Sequence, residues 1–276
     1  GDGVDDLIVG GLKLDSNGHS IGSSSYIVFG KNSGFTASID LSGLNGNDGF
    51  RLDGSSGPVS SAGDVNGDGI ADLIIGAPNA DSNAGDSGSS YIVFGKASGF
   101  SAQMDLSNLD GHNGFRLDGE NKDDLSGSSV SDAGDINGDG FDDVIIGATG
   151  ADFGGEHSGS SYVVFGHALG FDAAIDLSSL DGRNGFRLDS KEAFNYSGGS
   201  VSGAGDINGD GYDDLIIGSS TDYFLSHSYV IFGKASGFDA QIDLGNLSSD
   251  GFRLDDDNPV IFGSSVSGAG DINGDG

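Results

Sequence analysis

The sequence contains no cysteine and no tryptophan, and only three prolines and one methionine among its 276 residues. Without cysteine there is no disulfide framework, no zinc–thiolate site and no cysteine nucleophile. Basic residues are scarce: 11 Lys and Arg stand against 43 Asp and Glu, a formal net charge of −32. A phosphate footprint needs clustered Lys and Arg, so nucleic acid and anionic membrane surfaces are excluded as partners. No apolar run approaches the roughly 18 residues of a membrane-spanning helix, so membrane insertion is not expected. Sustained 3.6-residue periodicity is also missing, which excludes repeats built from helix pairs. Glutamate is nearly absent, at Glu120, Glu156 and Glu192 alone, so 40 of the 43 acids are Asp. A solubility excess would favour Glu on helices, whereas Asp at this excess belongs to turns, caps and metal loops.

What is abundant points the same way. Glycine numbers 53, without a collagen triplet and with little proline, so it serves turns. Leu, Ile, Val and Phe together number 70, about 25% of the chain and above the ~20% below which a highly charged chain stays disordered.

Three motifs recur four times each. Gly-Phe-Arg-Leu-Asp stands at 49–53, 114–118, 185–189 and 251–255; Tyr-(Ile/Val)-(Val/Ile)-Phe-Gly at 26–30, 91–95, 162–166 and 229–233. Asp-(Val/Ile)-Asn-Gly-Asp-Gly begins at 64, 135, 206 and 271, for a period of about 69 residues. Within 57–118 the pattern is β throughout: Val59–Gly63, Asp72–Gly76, Ser89–Phe94 and Phe115–Leu117 are short runs rich in β-branched and aromatic residues, bounded by turn formers. A longer connection carries Met104–Leu109. Four short strands per repeat predict an all-β fold of β-propeller blades. The repeats are expected at 1–56, 57–126, 127–197 and 198–262, forming one domain or segment. The first repeat has only Leu7–Gly10, Ser25–Phe29 and Phe50–Leu52. The segment 263–276, with a strand expected at Ser264–Gly268, would either complete the first blade and close a ring of four or continue a longer array. Both ends cut the same motif, which favours a piece of something longer.

The chemistry is expected in the nine-residue loop that follows the small-residue strand. Asp64, Asn66, Asp68 and Asp72 place oxygen side chains at positions 1, 3, 5 and 9, and the carbonyl of Ile70 is available at position 7. The spacing returns as Asp135, Asn137, Asp139, Phe141 and Asp143, and again as Asp206, Asn208, Asp210, Tyr212 and Asp214. Three carboxylates and an amide are hard donors that suit Ca²⁺. Carboxylates about 4 Å apart repel by roughly 4 kcal/mol per pair at an effective dielectric near 20, which a cation relieves. It is no EF-hand, since position 12 is Ile75, Ile146 or Ile217 inside an apolar β run instead of a glutamate before a helix. A plain Asx-Gly turn is the bland alternative for one copy; three copies with the same oxygen spacing favour metal. Two half-loops flank the chain: Asp271, Asn273 and Asp275 at positions 1, 3 and 5, and Asp2, Val4 and Asp6 at positions 5, 7 and 9. The expectation is three calcium sites, and a fourth if the half-loops meet.

These residues carry a resemblance. Gly-Ser-Ser-Val-Ser before Asp135, the Asp-Ile-Asn-Gly-Asp-Gly-Phe-Asp-Asp loop and Ile74-Ile-Gly-Ala-Pro78 after Asp72 resemble the FG-GAP repeat family, known from the integrin α-subunit propeller and from many large bacterial surface proteins. The resemblance implies blades of four antiparallel strands, a structural calcium loop between the first two, and ligand binding largely on the opposite face. The chain departs in having four repeats where the integrin propeller has seven. Ala-Pro is kept only at Ala77-Pro78, and Phe-Gly before the leading strand is clear only at Phe262-Gly263.

Other motifs read blandly. Gly18-His19-Ser20-Ile21-Gly22 fits a nucleophile elbow but lies between two β runs, where the elbow needs a helix after it. His19, His112, His157, His167 and His227 lack metal spacing. Arg51, Arg116, Arg187 and Arg253 recur once per repeat and are expected in structural ion pairs. Asn195 and Asn246 head glycosylation sequons. The reading is a non-enzymatic, extracellular or cell-surface module. A protein or polysaccharide would bind its variable loops 81–88, 119–126, 152–159 and 190–197; a ligand-free structural spacer and an accessory domain of a secreted hydrolase are the alternatives.

Overall fold

The computed structural model of the chain describes residues 3–14, 20–54, 57–168, 170–219, 227–255 and 262–274. They form four sheets. The first holds β1 (Leu7–Leu14), β2 (Ser20–Val28) and β3 (Gly49–Asp53). The second holds β4 (Val59–Gly63), β5 (Asp72–Ala77), β6 (Ser89–Val93) and β8 (Gly114–Asp118), with β7 (Gln103–Asp105) between the last two in the chain. The third holds β9 (Ser126–Gly134), β10 (Asp143–Ala148), β11 (Ser160–Val164) and β13 (Gly185–Asp189), with β12 (Ala174–Asp176) intervening. The fourth holds β14 (Ser197–Gly205), β15 (Asp214–Ser219), β16 (Ser228–Ile231) and β18 (Gly251–Leu254), with β17 (Gln241–Asp243) intervening. Within a repeat the strands pair antiparallel in chain order, as in propeller blades.

The longer connection contributes a strand to the sheet before it. β7 pairs in parallel with β3, β12 with β8 and β17 with β13, in one register: Leu52 faces Met104, Leu117 faces Ile175 and Leu188 faces Ile242. Each such arm stops because its last residue caps a 3₁₀ turn or tight turn. Asp105 Oδ1 accepts from Ser107 N at 2.9 Å, and Asp176 Oδ1 from Ser178 N at 2.9 Å. The arm also delivers a phenylalanine. Phe100 stacks on Phe50 at 4.6 Å, Phe171 on Phe115 at 4.3 Å and Phe238 on Phe186 at 4.6 Å, each ring sealing the outer part of the preceding sheet. A basic side chain lies over the incoming ring, Lys96 over Phe100 and Lys234 over Phe238.

The cores lie between successive sheets. Phe50, Leu52 and Ile75 belong to the layer joining the first two sheets. Ile74, Phe115, Val144 and Ile146 join the second to the third, and Ile145, Phe186, Leu215 and Ile217 the third to the fourth. Both faces of the middle sheets are therefore covered, so β10 and β11 are buried along their whole length and their sequences run apolar or small without alternation.

The segment 264–268 forms no strand. Val266 N donates to Ser200 Oγ at 3.0 Å, which sets it against β14, while β1 stays at the edge of the first sheet. Among the described residues no strand joins the first sheet to the fourth. No helix among them is long and apolar enough to cross a membrane.

Candidate metal loops

The three full loops connect β4 to β5, β9 to β10 and β14 to β15. Each curls around its own acids. Asp64 Oδ1 accepts from Asp68 N at 3.0 Å, Asp64 Oδ2 from Gly69 N at 2.8 Å, Asn66 Oδ1 from Asp68 N at 2.9 Å and Asp68 Oδ1 from Ile70 N at 2.9 Å. Asp135, Asn137 and Asp139 repeat all four bonds, as do Asp206, Asn208 and Asp210. The backbone N–H of Gly211 is the main reason Asp206 sits below the usual carboxylate range.

Position 9 is different. Asp72, Asp143 and Asp214 open the second strand of each blade and are all fully buried. Asp72 accepts from Val65 N at 3.1 Å and Gly95 N at 2.8 Å. Asp143 accepts from Ile136 N at 3.1 Å and Gly166 N at 2.9 Å, and Asp214 from Ile207 N at 3.0 Å and Gly233 N at 2.8 Å. Burial pushes Asp72 up to about 7 and Asp143 up to about 8, and raises Asp214; the charges at positions 1 and 5 push each further.

The donor set fits a hard cation. Negative charge accumulates around a buried carboxylate, and among the described residues no Lys, Arg or His forms an ion pair with any acid of the three loops. Asp72, for one, feels the charges of Asp68 and Asp64. Among the described residues no three acidic or histidine side chains stand at ligating spacing by themselves. The remaining oxygens would come from Asn66, Asn137 and Asn208 and from the carbonyls of Ile70, Phe141 and Tyr212.

Neighbouring loops touch, which the sequence reading did not anticipate. Asp142 Oδ2 accepts from Asp64 N at 2.6 Å, and Asp213 Oδ2 from Asp135 N at 2.9 Å, each across 78 residues. The position-7 side chains reach back as well. A Cβ on Gly67 would overlap the Phe141 ring, and one on Gly138 the Tyr212 ring. The available signal was the acid at position 8, present as Asp142 and Asp213 but replaced by Ala71 in the first full loop.

The half-loops are partly visible. Asp2 and Asp275 lie outside the described residues. Asp6 Oδ1 accepts from Gly30 N at 2.8 Å, the arrangement of position 9 elsewhere. Asp271 Oδ1 accepts from Gly274 N at 2.6 Å, as Asp206 does from Gly209 N at 2.7 Å. Asn273 belongs to the C-terminal half-loop and Val4 to the N-terminal one.

The FG-GAP repeat pattern matches residues 56–93, 127–164 and 197–231, each spanning one of these loops and the strands around it. The chain carries three FG-GAP repeats. It is 30% identical over 187 residues to integrin alpha-4 of Xenopus laevis, covering 66% of this chain and 16% of that protein. Integrin alpha-V of Gallus gallus is 33% identical over 162 residues, 56% of this chain and 14% of that protein. Integrin alpha-7 of Rattus norvegicus is 34% identical over 174 residues, 63% of this chain and 13% of that protein. The chain thus corresponds to less than a fifth of the length of these relatives.

On the FG-GAP blades the edge opposite these aspartate loops carries the variable connections. The recurring arginines pair with the aspartate two residues on: Arg51 with Asp53 at 2.8 Å, Arg116 with Asp118 at 2.6 Å, Arg187 with Asp189 at 2.8 Å and Arg253 with Asp255 at 2.9 Å. Arg187 also reaches Glu120 at 2.9 Å and stacks on Phe153. The ion-pair reading of these arginines therefore matches the geometry. Ser20 begins β2 of a hairpin, so the elbow-like motif has no helix after it; Gly18 and His19 lie outside the described residues. Asn195 is 2% exposed, so its sequon is not on the surface, while Asn246 is exposed.

The connections on this edge pair with one another. Leu125 N donates to Asp86 O at 3.1 Å and, one blade later, Tyr196 N to His157 O at 3.0 Å. Asp86, Asp123 and Leu125 hold positive φ, and so do His157, Phe194 and Tyr196 at the matching places. Left-handed backbone is rare for bulky residues. The framework is kept while its side chains change: in the third blade His157 stacks on Tyr196 at 5.4 Å, and Phe194 stays 39% exposed.

Proposed function

We propose that the chain is a calcium-stabilised, non-catalytic recognition module of a secreted or cell-surface protein, which binds a protein or polysaccharide through the loops opposite its metal loops. The observation that carries the calcium reading is the buried carboxylate at position 9 of three loops, which among the described residues has no Lys, Arg or His ion pair and in each case has two further acids beside it. When bound, the ion would neutralise this charge; Asp72, Asp143 and Asp214 already hold the loop backbone in place through their two N–H bonds. Extracellular calcium modules bind at roughly 10⁻⁴ to 10⁻³ M, and each site filled at a hundredfold excess over its dissociation constant adds about 2.7 kcal/mol.

What supports recognition over a ligand-free spacer is the changing loop content on a constant frame, where His157, Phe194 and Tyr196 replace Asp86, Asp123 and Leu125. Variable loops on a rigid scaffold are where binding usually sits.

A thermal melt with calcium titrated against EDTA, beside calorimetric site counting, tests the metal. The expected result is a calcium-dependent rise in melting temperature with three sites. Four sites would mean that the half-loops at Asp271 and Asp6 meet, and no effect would remove the calcium reading. A glycan and protein array probed with the calcium-loaded chain tests recognition, and silence on that array would favour the spacer.

A further inference from the structure

The three aspartate loops are joined by more than the side chains of their eighth residues. Val65 N donates to Asp72 Oδ2 at 3.1 Å, and the carbonyl of Val65 accepts from His167 N at 3.0 Å. Gly166, the residue before His167, donates its N–H to Asp143 Oδ1 at 2.9 Å. The pattern then repeats one blade on. Ile136 N donates to Asp143 Oδ2 at 3.1 Å, Lys234 N to Ile136 O at 2.9 Å and Gly233 N to Asp214 Oδ1 at 2.8 Å. One relay of backbone amides therefore runs through the three buried carboxylates Asp72, Asp143 and Asp214. The relay needs the glycine that closes the Tyr-Val-Val-Phe-Gly and Tyr-Val-Ile-Phe-Gly strands. A Cβ on Gly166 would overlap the carbonyls of Asp142 and Val65, and one on Gly233 those of Asp213 and Ile136.

A second link runs beside the relay. Asp142 N donates to Asp64 O at 3.2 Å while Asp142 Oδ2 accepts from Asp64 N at 2.6 Å. Asp213 treats Asp135 in the same way, at 3.4 Å and 2.9 Å. Each position-8 aspartate thus clamps the backbone of its neighbour's position 1 through both the N–H and the carbonyl.

The place of the clamp in its own loop gives it a second meaning. Position 8 lies between the carbonyl of position 7 and the carboxylate of position 9, the two groups that complete its own loop's oxygen set. Asp142 therefore stands between Phe141 and Asp143, and Asp213 between Tyr212 and Asp214. Whatever fixes residues 141–143 also fixes the clamp on Asp64, and whatever fixes 212–214 fixes the clamp on Asp135.

We infer, on the calcium reading of these loops, that the three take up the ion cooperatively, with Asp142 and Asp213 as positioning residues for the loop of the preceding blade. With loop 206–214 filled, residues 212–214 are held, and Asp213 holds the start of loop 135–143 in its turn. Backbone already ordered costs less to order at the next site, which gives positive coupling without a change of fold. The relay works in the same direction, since hydrogen bonds in a chain polarise one another. Coupling of binding is reciprocal, so the effect runs both ways along the three loops, and such couplings amount to about 5- to 150-fold in affinity. A module built this way fills over a narrower span of calcium concentration than three independent loops.

The test is a calcium titration followed by NMR at the amides of Gly69, Gly140 and Gly211. Each donates to the position-1 aspartate of its own loop, at 2.8, 2.9 and 2.8 Å, so each reports one loop. Asp206→Asn with Asp210→Asn empties loop 206–214. In the otherwise wild-type chain this is expected to raise the calcium midpoint at Gly140 by about fivefold or more. In an Asp213→Ala background the same emptying is expected to leave the Gly140 midpoint where Asp213→Ala alone puts it. Asp213→Asn keeps a side-chain oxygen for Asp135 N and is expected to restore the shift. A wild-type titration to which none of the three glycines responds would remove the calcium reading and this proposal with it. Three responding glycines, with a Gly140 midpoint indifferent to loop 206–214, would overturn the coupling alone. A shift that survives Asp213→Ala, or one that Asp213→Asn fails to restore, would assign the effect to charge and overturn the positioning role. Should the emptied variant lower the melting transition, the shape of the curves decides instead. The proposal then requires curves steeper than a single-site isotherm in wild type and single-site curves in Asp142→Ala with Asp213→Ala.

Discussion

The loops 135–143 and 206–214 have nearly the same sequence and the same internal hydrogen bonds, yet they are different environments. The first is followed by another blade whose loop leans on it: Asp213 accepts from Asp135 N, Tyr212 covers Gly138, and Ile136 is 0% exposed. Among the described residues no corresponding partner is placed on the second. Space is open around Gly209, and Ile207 is 50% exposed. Burial raises both position-9 carboxyls, Asp143 to about 8. Such an aspartate loop is therefore completed by its neighbour as well as by its own nine residues.

The most severe way to break this comparison is to remove the position-9 acid. In EDTA, Asp143→Ala leaves the N–H groups of Ile136 and Gly166 without an acceptor in a buried site, at about 3 kcal/mol. Asp214→Ala should cost about half as much, because water replaces the acceptor beside the half-exposed Ile207. Urea unfolding of the two variants measures the gap, and equal costs would show that the neighbour contributes nothing. Next come the glycines. Gly138→Ala and Gly209→Ala share the same backbone penalty, with φ of 73° and 74°, but only the first meets a ring. The expectation is about 2–3 kcal/mol for Gly138→Ala and ~1 kcal/mol for Gly209→Ala, read from the same curves. Smaller still is Asp213→Ala, which removes one bond across the two loops. It should cost ~1 kcal/mol and speed hydrogen exchange at the Asp135 amide, in the loop that the substitution does not touch.

A separate test is a pH dependence on the opposite edge. Asp124 is 3% exposed, and burial raises its carboxyl to about 6 despite donation from the Asn121 backbone and side chain. Its folded pKa exceeds its unfolded one, so the stability it contributes is complete below pH 4 and is lost as pH rises to about 6. Asp124→Asn should remove that slope, and melting curves between pH 4 and 7 should show wild type losing up to ~2 kcal/mol more than the variant.

Much of this was legible because it repeats. The strands Val59–Gly63 and Ser89–Val93 were visible as β-rich runs between turn formers, and the oxygen spacing of Asp64, Asn66, Asp68 and Asp72 marked the loops directly. The arms were not legible. Gln103–Asp105 is only three residues long, and its partner Arg51–Asp53 lies in another repeat, so neither length nor local alternation marks it as a strand. The cross-loop bonds escaped for the same reason, since Asp142 reads as a solvated acid until Asp64 is brought to it from 78 residues away. Ser264–Gly268 failed in the opposite sense: its sequence matches a leading strand, but it is set against β14 and forms no strand among the described residues.

The arms also set a schedule for the nascent chain. The edge residue Asp53 waits for Asp105, and Leu117 for Ile175. At roughly 5–20 residues per second, each gap of about fifty to sixty residues takes on the order of 3–12 s to synthesise. For that interval every newly made blade holds an unpaired edge and an unsealed phenylalanine, so the chain emerges with one sticky blade at a time, always the most recent.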